Sequence, residues 1–130
     1  MAKYSIFAKN FNKMNELQSI IEQAWENRAL LQETKTTDAI RAVIELLDSG
    51  KLRVAEPVGD TSTSLSTSSW QVNEWVKKAV VLYFPIQKME TLEAGIFEYN
   101  DKMLLKRDYA EKGVRVVPGA SARYGAYISS

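Results

Sequence analysis

The chain contains no cysteine and no histidine, only three prolines and six glycines in 130 residues, and no excess of charge of either sign. Without cysteine there is no disulfide, no thiolate metal site and no cysteine nucleophile. Without histidine there is no Ser-His-Asp or Cys-His catalysis, no imidazole-bound zinc and no imidazole general base working near neutral pH. A net charge of +1, from 17 Lys and Arg against 16 Asp and Glu, gives no broad field to steer a polyanion. No segment gathers basic residues into a nucleic-acid or membrane footprint, so neither is expected as a partner. The opening MAKYSIFAKNFNK interleaves lysines with Tyr4, Ile6, Phe7 and Phe11 and lacks the continuous apolar stretch of a signal peptide. No other run is long enough to span a bilayer, and the cytoplasm is the expected compartment.

What is present suits one compact domain: 45% of residues are hydrophobic and 25% charged. A chain of this size buries roughly two-thirds of its unfolded surface. Residues 1–13 read as an extension before a helical region, 14–114. Met14, Leu17, Ile20, Ile21, Ala24 and Trp25 fall at three- and four-residue spacing, which predicts an amphipathic helix ending near Leu31. Thr37 is the expected N-cap of a second helix carrying Ile40, Val43, Ile44 and Leu47, with Asp38 in its first turn. Ser49-Gly50 stops it, Gly50 suiting the left-handed position after a helix.

Leu52 and Val54 alternate with Lys51 and Arg53 in a short strand that Pro57 limits. The Ser/Thr-rich stretch 59–69 reads as a solvated hairpin loop, and Trp70 and Val72 as the return strand, pairing with Leu52 and Val54. A third helix follows with Trp75, Val76, Ala79, Val80 and Tyr83, ended by Phe84-Pro85. A competing start at Ser68, with Gln71 completing a capping box, fits the same residues. Beyond it, a strand is expected around Gly95–Tyr99 and a short helix over LLKRDYAEKG, closed by Gly113.

At Arg115 the pattern changes. Val116, Ala122 and Ile128 recur every six positions, with Gly119 and Gly125 at the same spacing between them. A six-residue period is the signature of a left-handed parallel β-helix, in which three hexads make one triangular coil. Residues 115–130 supply about one coil, and a coil buries its inward residues only by stacking on others. Alone, such a segment is expected to be disordered, recruited by another chain or cut off from its continuation, of which the last is favoured. The expected fold is therefore α+β: a mainly helical domain of about three helices and a short β-hairpin, then the first coil of a truncated left-handed β-helix.

The stretches LQSIIEQAWENRALL, LDSGKLRVAEP, WVKKAVVLYF and GVRVVPGASARYGAYI, in this order, resemble the N-terminal region of the tetrahydrodipicolinate N-succinyltransferase family. The resemblance covers about residues 14–130. It implies an acyltransferase of diaminopimelate and lysine biosynthesis that moves succinyl from succinyl-CoA, a co-substrate rather than a bound cofactor, to the amino group of the ring-opened cyclic imine dicarboxylate. It also implies a homotrimer with active sites between neighbouring β-helices. Arg115 matches the family arginine that binds the dicarboxylate, and a guanidinium fork is chemically suited to a carboxylate. The family's catalytic acidic residue and CoA surface lie beyond Ser130, so this chain alone is expected to be inactive, with no catalytic, cofactor or metal residue of its own. Two features depart from the family: the segment between Tyr99 and Gly113 is shorter, and residues 1–13 have no clear counterpart.

The alternative expectation is a noncatalytic binding or assembly module that docks its single coil on a longer β-helix. The carboxylate pairs Glu98 and Asp101, or Glu90 and Glu93, have no spacing that marks them as an acid and base, and they read as solvated charge. Lys77 and Lys78 read as the polar face of the third helix.

Overall fold

The computed structural model describes residues 2–58 and 69–130, with side chains from Asn12 onward at the N-terminal end. Helix α1 (Ala2–Glu26) begins at Ala2, so the backbone of the stretch read as an extension is continuous with it. The predicted stripe is the buried one: Leu17, Ile21 and Ala24 enter the core, flanked by Met14, Ile20 and Trp25. The helix ends at Glu26 rather than near Leu31. Asn27 leaves helical geometry at φ −126°, and its side-chain oxygen accepts from the Ala29 N–H, capping a 3-10 turn over Arg28–Gln32.

Helix α2 (Thr34–Asp48) starts three residues before the expected cap. Glu33 occupies the cap position, and its carbonyl receives the N–H groups of Thr36 and Thr37, so the 3-10 turn passes directly into α2. Thr37 sits inside the first turn and donates its hydroxyl to the Thr34 carbonyl. The other end is as read: Gly50 has φ +71°, its N–H bonds the Leu47 carbonyl, and the Lys51 N–H bonds that of Leu46, a Schellman closure.

Leu52 is buried against the helices rather than paired in a strand. The ladder starts later, with β1 (Ala55–Val58) antiparallel to β2 (Ser69–Val72) and Ala55 opposite Val72, Pro57 opposite Trp70. Leu52 and Val54 therefore do not face Trp70 and Val72, because the core takes Leu52 immediately after the Gly50 turn. Of the expected hairpin loop at 59–69, Ser69 belongs to β2 and residues 59–68 lie outside the described residues. Ser68 lies outside the described residues, but Ser69–Val72, Gln71 included, form β2 rather than the first turn of a helix, and α3 runs Glu74–Tyr83 with Asn73 before it. Asn73 joins the two features by donating its side-chain amide to the Arg53 carbonyl at 2.8 Å.

The three helices close one core around Ile21, Ile40, Val43, Ile44, Val76 and Leu82, all essentially inaccessible. Lys77 pairs with Glu74 on its own helix, whereas Lys78 crosses to Glu22 of α1 and lies 5.7 Å from the Trp25 ring centre. After a 3-10 turn over Phe84–Ile86, a second hairpin pairs β3 (Glu90–Ala94) with β4 (Phe97–Asp101). Its two-residue turn is Gly95-Ile96, with Gly95 at φ +64°, the residue that a II′ turn needs first. No helix forms over residues 104–113. Leu105 instead makes an antiparallel bridge with Arg123, and turns with Asp108 at φ +60° lead to Gly113. The described residues thus make three helices and two antiparallel hairpins, and no helix among them is long and apolar enough to cross a membrane.

Candidate functional site

Residues 115–130 form no strand, and the six-residue period appears as corners. The Ala120 N–H bonds the Val117 carbonyl across Pro118-Gly119, and six residues later the Ala126 N–H bonds the Arg123 carbonyl across Tyr124-Gly125. Gly119 and Gly125 have φ +89° and +95°. A four-residue turn closed by that bond, with glycine at positive φ in third place, is the type II arrangement, for which Pro118 is also well placed. Glycine recurs here because a side chain at that corner is strained. Val116 remains 36% exposed, and Ala122 and Ile128 are only half buried.

The segment nonetheless has something to pack against. The C-terminal turn of α2 presents Glu45 and Asp48, two carboxylates at the negative end of a helix dipole with no basic residue in that turn. This segment and Lys106, which pairs with it, supply their partners. Lys106 Nζ, almost wholly buried, donates to Asp48 Oδ1 at 2.5 Å, and the Gly125 N–H donates to the same oxygen at 2.9 Å. The Tyr124 hydroxyl donates to the Glu45 carboxylate. Between them the Lys106 N–H bonds the Ala122 carbonyl and the Tyr124 N–H bonds the Leu104 carbonyl. Tyr127 lies on the Gly50 turn with the Arg53 guanidinium 4.8 Å from its ring centre.

Burial pushes the Tyr124 phenol well above its ordinary value, and so do its bond to Glu45 and the charges of Glu45 and Asp48. Burial raises Tyr83 in the same direction, opposed by Arg41. A phenol whose folded pKa exceeds its unfolded value of 10.0 contributes stability that is fully present below pH 10 and lost as pH rises through the folded value. Melting temperature should therefore fall above pH 10, and more gently in Tyr124→Phe than in the parent chain. Parallel declines for the two proteins between pH 9 and 12 would exclude this role for Tyr124.

Beside this junction a cleft of about 580 Å³ opens between the β3–β4 hairpin and residues 102–108 and 121–124. Its lining mixes signs, with Lys102, Arg107 and Lys112 beside Glu90, Asp101 and Asp108. Asp101 is engaged: its carboxylate accepts from Arg123 Nε at 2.7 Å and from the Lys102 N–H at 2.9 Å. Glu90, Glu93 and Glu98 are exposed, as solvated charges should be. Arg115 does not line the cleft. It lies exposed on the straight leg between the Gly113 turn and Pro118, and among the described residues no ion pair includes it.

Asp48, Lys106 and Tyr124 are not among the residues singled out from sequence. The signal was available in the two acids of the α2 terminus, where the helix dipole disfavours negative charge and a cation from elsewhere is needed.

A family model described as the tetrahydrodipicolinate N-succinyltransferase N-terminal domain matches residues 16–86, from α1 to the 3-10 turn after α3. Curated relatives extend the similarity beyond that. A protein of Neisseria meningitidis named 2,3,4,5-tetrahydropyridine-2,6-dicarboxylate N-succinyltransferase is 46% identical, with 87% of this chain and 42% of the relative covered. Proteins of the same name from Thiobacillus denitrificans and Nitrosospira multiformis are 43% and 41% identical, with 88% and 90% of this chain covered. The chain spans 42–44% of the length of these relatives. With more than half of its residues matched by the family model and curated relatives at 41–46% identity over most of the chain, the chain belongs to the tetrahydrodipicolinate N-succinyltransferase family.

Proposed function

We propose that residues 1–130 serve as the N-terminal part of an enzyme that transfers succinyl from succinyl-CoA to the amino group of the ring-opened tetrahydropyridine dicarboxylate. The relatives' shared name supports this reading, since all are named as N-succinyltransferases of the tetrahydropyridine dicarboxylate. In the reaction the amine attacks the thioester carbonyl, an amide C–N bond forms, the C–S bond breaks, and CoA leaves as the thiol after the amine loses a proton. Residues 14–114 act as a scaffold and 115–130 as the first coil of a left-handed β-helix. Two identical corners six residues apart support the coil, as do the half-exposed Val116, Ala122 and Ile128, which present small apolar surface for the next coil to cover.

Arg115, exposed at the head of that coil, binds a substrate carboxylate. Its guanidinium fork offers a carboxylate two parallel charge-assisted hydrogen bonds. The proton acceptor for the amine and the surface that holds CoA belong to the remainder of the enzyme, which works as a cytoplasmic homotrimer with sites between subunits.

A thiol-release assay tests both parts. Residues 1–130 alone should give no release above background, whereas the same residues joined to the remaining length of the Neisseria relative should turn over. In that chimera Arg115→Ala should raise KM for the dicarboxylate by about tenfold or more, the scale of one lost charged hydrogen-bond pair, and Arg115→Lys should recover only part. Enzyme-like turnover by residues 1–130 would overturn the division of labour. An unchanged KM would remove Arg115 from the site.

A further inference from the structure

Asp48 holds both ends of one loop. Lys106 and Gly125 lie on either side of Arg115 in the chain, and both donate to the same Asp48 oxygen, Lys106 through Nζ and Gly125 through its backbone N–H. The Leu105–Arg123 bridge closes the base of the loop just beside that oxygen, through the Lys106 and Tyr124 N–H groups. Among the described residues, the backbone hydrogen bonds of the loop body between these ties are those of local turns, at Asp108–Val114 and Val117–Ala120. Its position relative to the helices is therefore set at the base, and the base is fixed to the last residue of α2.

A carboxylate is costly at that place. It sits at a helix C-terminus and is largely buried, with a side chain 18% exposed, so a shorter or neutral group would serve the helix better. The Schellman closure at Gly50 uses only backbone groups and does not need the Asp48 side chain. Nothing in α2 accounts for an acid here, and what accounts for it is the loop.

We propose that Asp48 is a positioning residue: by tying Lys106 and Gly125 to the end of α2 it fixes where the loop between them presents Arg115. The consequence for substrate binding rests on the role of Arg115 proposed above, whereas the tie itself does not.

Hydrogen exchange on residues 1–130 tests the tie. In Asp48→Asn the amides of Lys106, Val114, Tyr124 and Gly125 should exchange about tenfold faster, the change that follows from loss of a charge-assisted contact, while those of Ile40, Val43 and Val76 keep their rates. Lys106→Gln should give the same regional pattern from the other side of the contact and guards against a folding defect peculiar to Asn at position 48. Unchanged exchange in the loop, or equal acceleration in the loop and the three helices, would overturn the proposal.

In the active chimera Asp48→Asn should raise KM for the dicarboxylate several-fold with kcat little changed. A faster-exchanging loop with an unchanged KM would leave Asp48 as the tie and overturn its part in presenting Arg115, whose own role is read separately from Arg115→Ala.

Discussion

Ile40→Ala should lower the unfolding free energy by about 3 kcal/mol, within the range of 2–5 kcal/mol that buried aliphatic truncations span. Ile40 is completely inaccessible, at the centre of α2 where that helix meets both α1 and α3. Removing three carbons from such a place forfeits their transfer from water and leaves a space that the rigid helices fill only in part. In a domain of this size the melting temperature should fall by roughly 10–15 °C. Arg41→Ala, on the exposed face of the next residue, removes only a 3.6 Å surface pair with Asp38 and should cost about 0.5 kcal/mol or less. Urea unfolding of the two variants makes the comparison. A loss under about 1 kcal/mol for Ile40→Ala would mean that the three helices are not packed as one core.

Gly50→Ala should be nearly as damaging, for two separable reasons. The residue has φ +71°, where a side chain costs roughly 1–2 kcal/mol. A Cβ there would also lie 2.7 Å from Cδ2 of Tyr127, closer than two carbons can approach. The ring sits between this turn and the Arg53 guanidinium, so it moves only by giving up that contact. The total loss should be about 2–4 kcal/mol, combining the backbone term with the displacement of a packed ring. Tyr127→Ala removes the obstacle, so adding Gly50→Ala in that background should cost only the backbone term, and the double-mutant cycle should show a coupling of about 1–2 kcal/mol. Additive costs in thermal unfolding would exclude the contact between the Gly50 turn and the C-terminal segment.

Part of this architecture was legible because its causes are local. The α2 stripe from Ile40 to Leu47 and the Gly50 stop needed only a 3.6-residue period and the left-handed tolerance of glycine. Boundaries were less legible where two local solutions compete. Asn27 interrupts a helical pattern that continues to Leu31, and Glu33 takes a cap position that Thr37 fits equally well by composition. Over 104–113 a helical reading failed for a different reason. Leu105 and Lys106 are claimed by partners at 122–124 and by Asp48, and a pairing across that distance leaves no trace in local spacing.

The sequence by itself determined the three amphipathic helices, the absence of histidine and cysteine chemistry, the six-residue spacing and the resemblance that points to a family. Each depends on residue identity and near-neighbour spacing. Only the tertiary structure decided that the spacing appears as two type II corners, that the second of them rests on the end of α2, and that Asp48 is the residue joining Lys106 to Gly125. The physical reason is range. A carboxylate in the last turn of a helix is recognisable as an unmet need from the sequence, but which amine and which backbone N–H meet it depends on how the chain returns, and that is set by packing the core first.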